Sequence, residues 1–260
     1  MVVDERIVAV AYSVEGNGPD VGLTVAFAER CRLALMSQFG RANGSAVSSM
    51  LAGKDSGGKP LRGHSHAFYL PYDADGDGRI ERLAVYASMG FGQRELDAAI
   101  RLEEVDLRPE HDPVRLMISG AFDSASLGQI WPGFASSVQW VSYSPYVMSR
   151  HPKVTRAGAP KLGRDGTQLD SPDNQLRAEW RQRMRNDPSL PPIIGLRSCG
   201  REKRQGDWSG YRLSRMKALE PAPIQRGLAF HLTFADAVTG PVALGYGCHF
   251  GLGVFVPAGS

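Results

Sequence analysis

The chain has 260 residues, 42% hydrophobic and 22% charged, with a net charge of +3, which suits one large or two small soluble globular domains. Its three cysteines, Cys31, Cys199 and Cys248, form no Cys-x-x-Cys pair, so neither a zinc ribbon nor a disulfide framework is indicated and a reducing cytoplasmic setting is expected. No apolar run is long enough to span a bilayer, so no membrane partner is expected, and the first residues lack the basic and apolar regions of a signal peptide.

In chain order, the short β-branched run Arg6–Ser13 predicts a strand. Apolar residues at helical spacing predict a helix over Leu23–Phe39, with Gly40 as its stop. The glycine- and serine-rich stretch 40–63 reads as a loop. His66–Pro71 and Arg82–Ala87 read as the strands of a hairpin around a turn at Asp73–Gly78. A helix over Gly92–Val105 and a strand over Val114–Ile118 complete a β-α-β-β-α-β order, the ferredoxin-like arrangement.

The second half is less regular. Strands are expected at Trp140–Val147, Pro191–Leu196, Gly210–Arg215, Leu228–Phe234 and Val254–Val256, with a basic loop over 149–170. Ser171 as N-cap and Pro172 at the first helical position start a helix that runs to Arg185. Leu176, Trp180 and Met184 should face a core, with Arg177, Arg181 and Arg185 on the neighbouring stripe. The expected architecture is α+β, two tandem ferredoxin-like halves (1–125 and 126–260), the second with its second helix lost or shortened.

Charge is uneven. Arg150–Lys217 holds sixteen Lys/Arg against seven Asp/Glu, +9, leaving −6 for the remainder. Such asymmetry points to a polyanion on the second half; the plainer alternative is a solvated arginine-rich surface. Arg150, His151 and Lys153 in the basic loop, the three helix arginines, and Arg201, Lys203 and Arg204 beside Trp208 are the candidate RNA-contacting residues.

Near the C-terminus five glycines fall within fourteen residues: Gly240, Gly245, Gly247, Gly251 and Gly253. Backbone N–H groups in such a loop can form an anion-binding concavity. The spacing is neither a P-loop nor a dinucleotide fingerprint, and a strand follows it. A turn closing a sheet is the alternative.

Three strings together carry a resemblance. They are Gly63-His-Ser-His66-Ala-Phe-Tyr-Leu-Pro71 followed by Asp73-Ala-Asp-Gly-Asp-Gly78; Trp140 with Ser144-Pro-Tyr-Val147 and Arg150-His151; and Gly240-Pro-Val-Ala-Leu-Gly245 with His249-Phe-Gly-Leu-Gly253. They resemble the CRISPR-associated repeat-processing endoribonucleases of the ferredoxin-like RNA-binding (RAMP) superfamily. Within it, they resemble the C-terminal RNA-processing part of the fused type I-U (I-G) Cascade protein. In that family a histidine commonly stands where this chain has Tyr246.

The resemblance implies cofactor-free, metal-independent cleavage of CRISPR repeat RNA to guide RNA, with a 2′,3′-cyclic phosphate product. Its non-catalytic alternative is a guide-RNA handle-binding subunit, with other type I interference-complex subunits as partners. Cleavage needs a base for the 2′-hydroxyl, an acid for the leaving 5′-oxygen and cationic stabilisation of the transition state; histidine, with an ordinary pKa of about 6.5, suits the first two and Lys or Arg the third. His64 and His66 are the catalytic candidates, since period-two spacing puts them on one face of a strand or its entry. A solvent-facing hairpin edge is their plainer reading. The resemblance makes the N-terminal half the catalytic one, and His66 is preferred for fixity at the strand start. His249, Gly245, Gly247, Gly251 and Gly253 are assigned to RNA contact, with His249 kept as the substitute catalytic candidate and burial against the sheet as its plainer reading. His111 and His231 read as strand-entry and mid-strand residues.

The string from Asp73 matches the first eight positions of an EF-hand loop, but position twelve is Ala84 and a strand follows. An aspartate/glycine hairpin turn is therefore expected, with no metal assigned among the site residues and a weakly bound cation in the turn as the alternative.

Overall fold

A computed structural model describes residues 6–107, 112–164, 166–199, 208–215, 224 and 226–259. They form two compact units. The first is the chain up to Trp131 with Ser209–Arg212 and His249–Gly251; the second is Pro132–Trp208, Leu213–Cys248 and the chain from Leu252.

The first unit runs β1 (Ala9–Val14), α1 (Thr24–Ala42), the one-turn α2 (Ser49–Ala52), β2 (Phe68–Tyr72), β3 (Arg82–Tyr86), α3 (Gln93–Ile100), β4 (Glu104–Val105) and β5 (Val114–Phe122). The antiparallel sheet has the order β2-β3-β1-β5-β4, so the four long strands take the ferredoxin-like arrangement and β4 adds an edge. Phe27, Leu35, Leu51, Tyr69, Leu70, Leu83 and Val85 are fully buried in its core. Buried phenols find acceptors there: Tyr12 donates to the Ala99 carbonyl at 3.0 Å and Tyr69 to that of Leu51 at 3.1 Å.

Several boundaries differ from the sequence expectation. Helix α1 passes through Gly40 and stops where the Asn43 side chain donates to the Phe39 carbonyl at 2.7 Å. Helix α3 ends at Ile100 because the chain turns to pair Glu104 and Val105 with Arg115 and Val114. Strand β5 extends to Phe122 because β1 pairs with it throughout, across a register shift at Ala11/Tyr12. The turn of helix at Ser49–Ala52 has its own cap, Ser48 Oγ accepting from the Leu51 N–H at 3.3 Å. It is too short to show a period in sequence.

The second unit runs β6 (Ser136–Ser142), α4 (Pro172–Asn186), β7 (Ile193–Cys199), β8 (Ala229–Thr239), β9 (Val242–Ala243) and β10 (Val254–Pro257). Its order, β7-β8-β6-β10-β9, repeats the ferredoxin-like arrangement, with a loop between β9 and β10 where the second helix would stand. The architecture is thus tandem ferredoxin-like and α+β. Helix α4 begins as expected, Ser171 Oγ accepting from the Asn174 N–H at 3.3 Å. Leu176 and Trp180 are buried with Trp140, Phe230, Leu232, Phe234 and Phe255, and Met184 packs against them. The Trp180 indole donates to the Pro191 carbonyl at 2.8 Å.

Two expected strands are corrected. The Trp140–Val147 strand ends at Ser142, after which Tyr146 makes only an isolated bridge to Leu228. Gly210–Arg215 is no strand: a 3-10 turn at Trp208–Gly210 leads into an irregular segment in which the Arg212 N–H donates to the Gly22 carbonyl at 2.9 Å. Gly22 permits that approach, since a Cβ there would lie 2.2 Å from the Gly210 oxygen.

Candidate functional site

The first unit assembles three histidines beside β2. The loop entering that strand turns through positive φ at Gly63 (+91°) and His64 (+57°). That backbone is uncommon for a residue with a Cβ, though histidine is enriched in it. It interrupts the extended run, so period-two spacing does not bring His64 and His66 together. His249 does.

His249 sits in the 3-10 turn Cys248–Phe250. Its Nδ1 lies 3.0 Å from the Ala67 carbonyl oxygen and its Nε2 2.8 Å from His64 Nδ1. Its ring centroid is 4.0 Å from that of His66 at 4° and 3.9 Å from that of Phe68 at 19°. Two near-parallel rings at that distance cannot share one face, so His66 and Phe68 sandwich His249. Gly251 brings the turn close: a Cβ there would lie 2.5 Å from Thr24 Cγ2 and 3.1 Å from Pro71 Cδ.

His66 is held on its other side. A Cβ on Gly53 would fall 2.6 Å from His66 Cδ2 and 2.8 Å from its Nε2. His66 Nδ1 is buried without a hydrogen-bond partner. Burial first, and the Arg32 guanidinium second, hold His66 below the ordinary imidazole pKa.

The glycine loop spans 244–253 between β9 and β10. Several of its N–H groups are committed within the second unit. Gly245 donates to Glu179 Oε2 at 2.8 Å, Tyr246 to the Val147 carbonyl at 2.8 Å, Leu252 to that of Gly247 at 3.3 Å and Gly253 to that of Pro145 at 2.9 Å. These N–H groups therefore do not form the anion cradle expected from the sequence. Tight packing explains Gly253, where a Cβ would lie 1.8 Å from the Leu244 oxygen. Glu179 in turn pairs with Arg183 at 3.3 Å, and Arg183 also donates to the Ala243 carbonyl. Helix α4 thus pins the start of the loop, a role for Glu179 and Arg183 that the arginine spacing did not reveal.

The cationic candidates belong to the second unit. Arg150 pairs with Asp170 at 2.9 Å and Lys153 with the same carboxylate at 3.5 Å, while His151 is exposed. On α4, Arg177 donates to the Ile193 carbonyl at 2.9 Å, whereas Arg181 and Arg185 are exposed. Arg201, Lys203, Arg204 and His111 lie outside the described residues. His231 stands mid-strand in β8, between Val141 and Arg197 in register.

At the β2–β3 turn, Asp73, Asp75, Asp77 and Glu81 bring one carboxylate oxygen each within 4.8 Å of one another, the arrangement that could hold a cation. Glu81, at position nine of the loop pattern, was the member that the sequence reading missed. The same carboxylates also fold the turn: Asp73 accepts from the N–H groups of Gly76 (2.6 Å) and Gly78 (2.8 Å), and Glu81 from that of Ala74 (2.7 Å). Burial, and then the carboxylates of Asp73 and Asp75, raise the Glu81 pKa against the lowering effect of that N–H.

No family model and no curated protein matches this chain. Solved structures similar to it include a Cas6-related protein of Pyrococcus furiosus, at 12% identity over 98% of this chain and 99% of that one, with a TM-score of 0.48. Another is Cas6b, at 10% identity over 96% of this chain and 100% of that one, TM-score 0.43. A third is a RAMP protein binding different RNA substrates, at 11% identity over 96% of this chain and 98% of that one, TM-score 0.42. Among the described residues no helix is long and apolar enough to cross a membrane.

Proposed function

We propose that the protein binds CRISPR repeat RNA and cuts it without a metal ion, with the His64–His66 pair at the centre of its site. The observation that carries this reading is the convergence of His64, His66 and His249 on one strand entry, 185 residues of sequence separating the hydrogen-bonded pair His64 and His249. In the reaction the O2′–P bond forms and the P–O5′ bond breaks, giving a 2′,3′-cyclic phosphate. The 2′-hydroxyl proton passes to an imidazole, the leaving 5′-oxygen takes a proton from water, and the hydroxide so formed takes the imidazolium proton, which restores the neutral ring.

His64 fits the proton-accepting role better than His66. Protonating His66 would add a charged donor at a buried nitrogen that has no acceptor, which burial penalises. His64 is half-buried and stands in the loop. His66 then serves the site by stacking on His249. The basic residues of the second unit, Arg150, His151, Lys153, Arg181 and Arg185 among those described, supply phosphate attraction.

The deciding experiment is cleavage of the cognate repeat RNA in EDTA, with product ends identified. Metal-independent cutting that stops with a 2′-deoxy substitution at the cut site supports the reading. Tight binding without cutting replaces it with the handle-binding alternative.

A further inference from the structure

We infer that His249 is a positioning residue: it fixes the tautomer of His64 through a hydrogen-bonded relay that starts at the Ala67 carbonyl. The use of His64 as a base rests on the RNA-cleavage reading, whereas the relay itself rests on geometry alone.

A carbonyl oxygen can only accept, so the 3.0 Å contact to Ala67 places a proton on His249 Nδ1. Neutral His249 then carries its lone pair on Nε2. That nitrogen is 2.8 Å from His64 Nδ1, so the shared proton belongs to His64 Nδ1. The basic nitrogen of neutral His64 is in consequence Nε2, the ring nitrogen not bonded to His249. When His64 gains a proton, the imidazolium keeps the same Nδ1–H donor, so neither its orientation nor the His249 tautomer has to change.

Three features restrain the relay. His66 and Phe68 sandwich the His249 ring, which limits its rotation. The His249 and His64 rings lie 15° from parallel, close to the plane in which an imidazole lone pair accepts. Ala67, whose carbonyl is the acceptor that anchors the relay, is buried and lies between His66 and Phe68 in sequence, so the strand entry that carries the sandwich also carries the acceptor. This is the arrangement in which a base is oriented by a second group and that group by a third.

The test uses the full chain with ¹⁵N-labelled histidine and long-range ¹H–¹⁵N correlation, which reports the protonated ring nitrogen without any RNA. At a pH where His64 is neutral, wild type should show Nδ1–H for both His64 and His249. His249→Phe retains an aromatic ring between His66 and Phe68 but no acceptor, so His64 should move to Nε2–H. His249→Gln loses the ring yet places an amide oxygen near the former Nε2, so it should keep His64 as Nδ1–H.

Single-turnover cleavage at saturating protein, which separates the chemical step from any change in RNA affinity, should follow the tautomer and not the stack: at least about tenfold slower in His249→Phe, with substantial recovery in His249→Gln. Nε2–H on His64 in the wild type would overturn the relay whether or not the protein cuts RNA. A His249→Phe protein that switches tautomer but cuts at the wild-type rate would overturn the positioning role. If the wild type shows the expected tautomers and does not cut, the relay stands and the cleavage reading fails.

Discussion

The two units share a strand order and differ in the side chains they present. In the first, α3 follows the β3 strand and the histidines His64, His66 and His249 collect at the entry to β2. In the second, a glycine loop stands between β9 and β10 where the matching helix would be, and exposed cations collect on α4 and in the 149–170 loop. A repeated fold has not produced a repeated site, because function follows the side chains placed on a scaffold and not the scaffold. The division predicts that proton transfer and phosphate attraction can be damaged separately.

The largest separation should come from His64→Ala. Single-turnover cleavage should fall by roughly a hundred-fold or more, the scale of general acid–base catalysis, while affinity for the repeat stays near wild type because a neutral imidazole adds no net charge. A matching loss of affinity, measured by filter binding, would erase the distinction between the units.

Next in size is the cationic face of α4. Arg181 and Arg185 are exposed, whereas Arg177 already binds the Ile193 carbonyl, so Arg181→Ala with Arg185→Ala removes charge with little structural cost. Binding should weaken and the slope of log affinity against log salt should shrink by about one unit per lost phosphate contact. The chemical step at saturating protein should hold. An unchanged salt slope would move the RNA surface off this helix.

A smaller effect is expected at the aspartate turn. Replacing Asp75 and Asp77 by Asn should leave EDTA-resistant cleavage within a few-fold of wild type, because the proposed chemistry draws on the histidines alone. Loss of cleavage in a variant whose circular dichroism is unchanged would bring this turn into the mechanism.

The smallest effect is on stability. Folding lowers the His66 pKa, so between that lowered value and the unfolded value of about 6.5 the unfolded chain binds more protons. Stability attributable to His66 is therefore complete above about pH 6.5 and declines as pH falls toward the folded value. Urea unfolding of the wild type should show this decline, and His66→Asn should show less of it. Parallel pH curves for the two proteins would mean that His66 is not held neutral by the fold.

Local signals in the sequence determined most of the elements. Short apolar runs bounded by turn residues marked β1, β2, β3 and the start of β5, and the Ser171 cap, Pro172 and the Leu176–Trp180–Met184 stripe marked α4, because each depends on residues a few positions apart. The His64–His66 pair was also visible, as two titratable groups at a strand entry. What joins them was not. His249 reaches them through a φ of +57° at His64, a glycine at 251 that admits Thr24, and a carbonyl at Ala67, none of which leaves a period in the chain. The glycine loop shows the same limit: its spacing fits an anion cradle, and only the folded chain shows that the N–H groups of Gly245, Tyr246, Leu252 and Gly253 are taken by Glu179, Val147, Gly247 and Pro145. Periodicity records which face of an element is buried, whereas a hydrogen bond between segments far apart in sequence exists only after both have been folded into place.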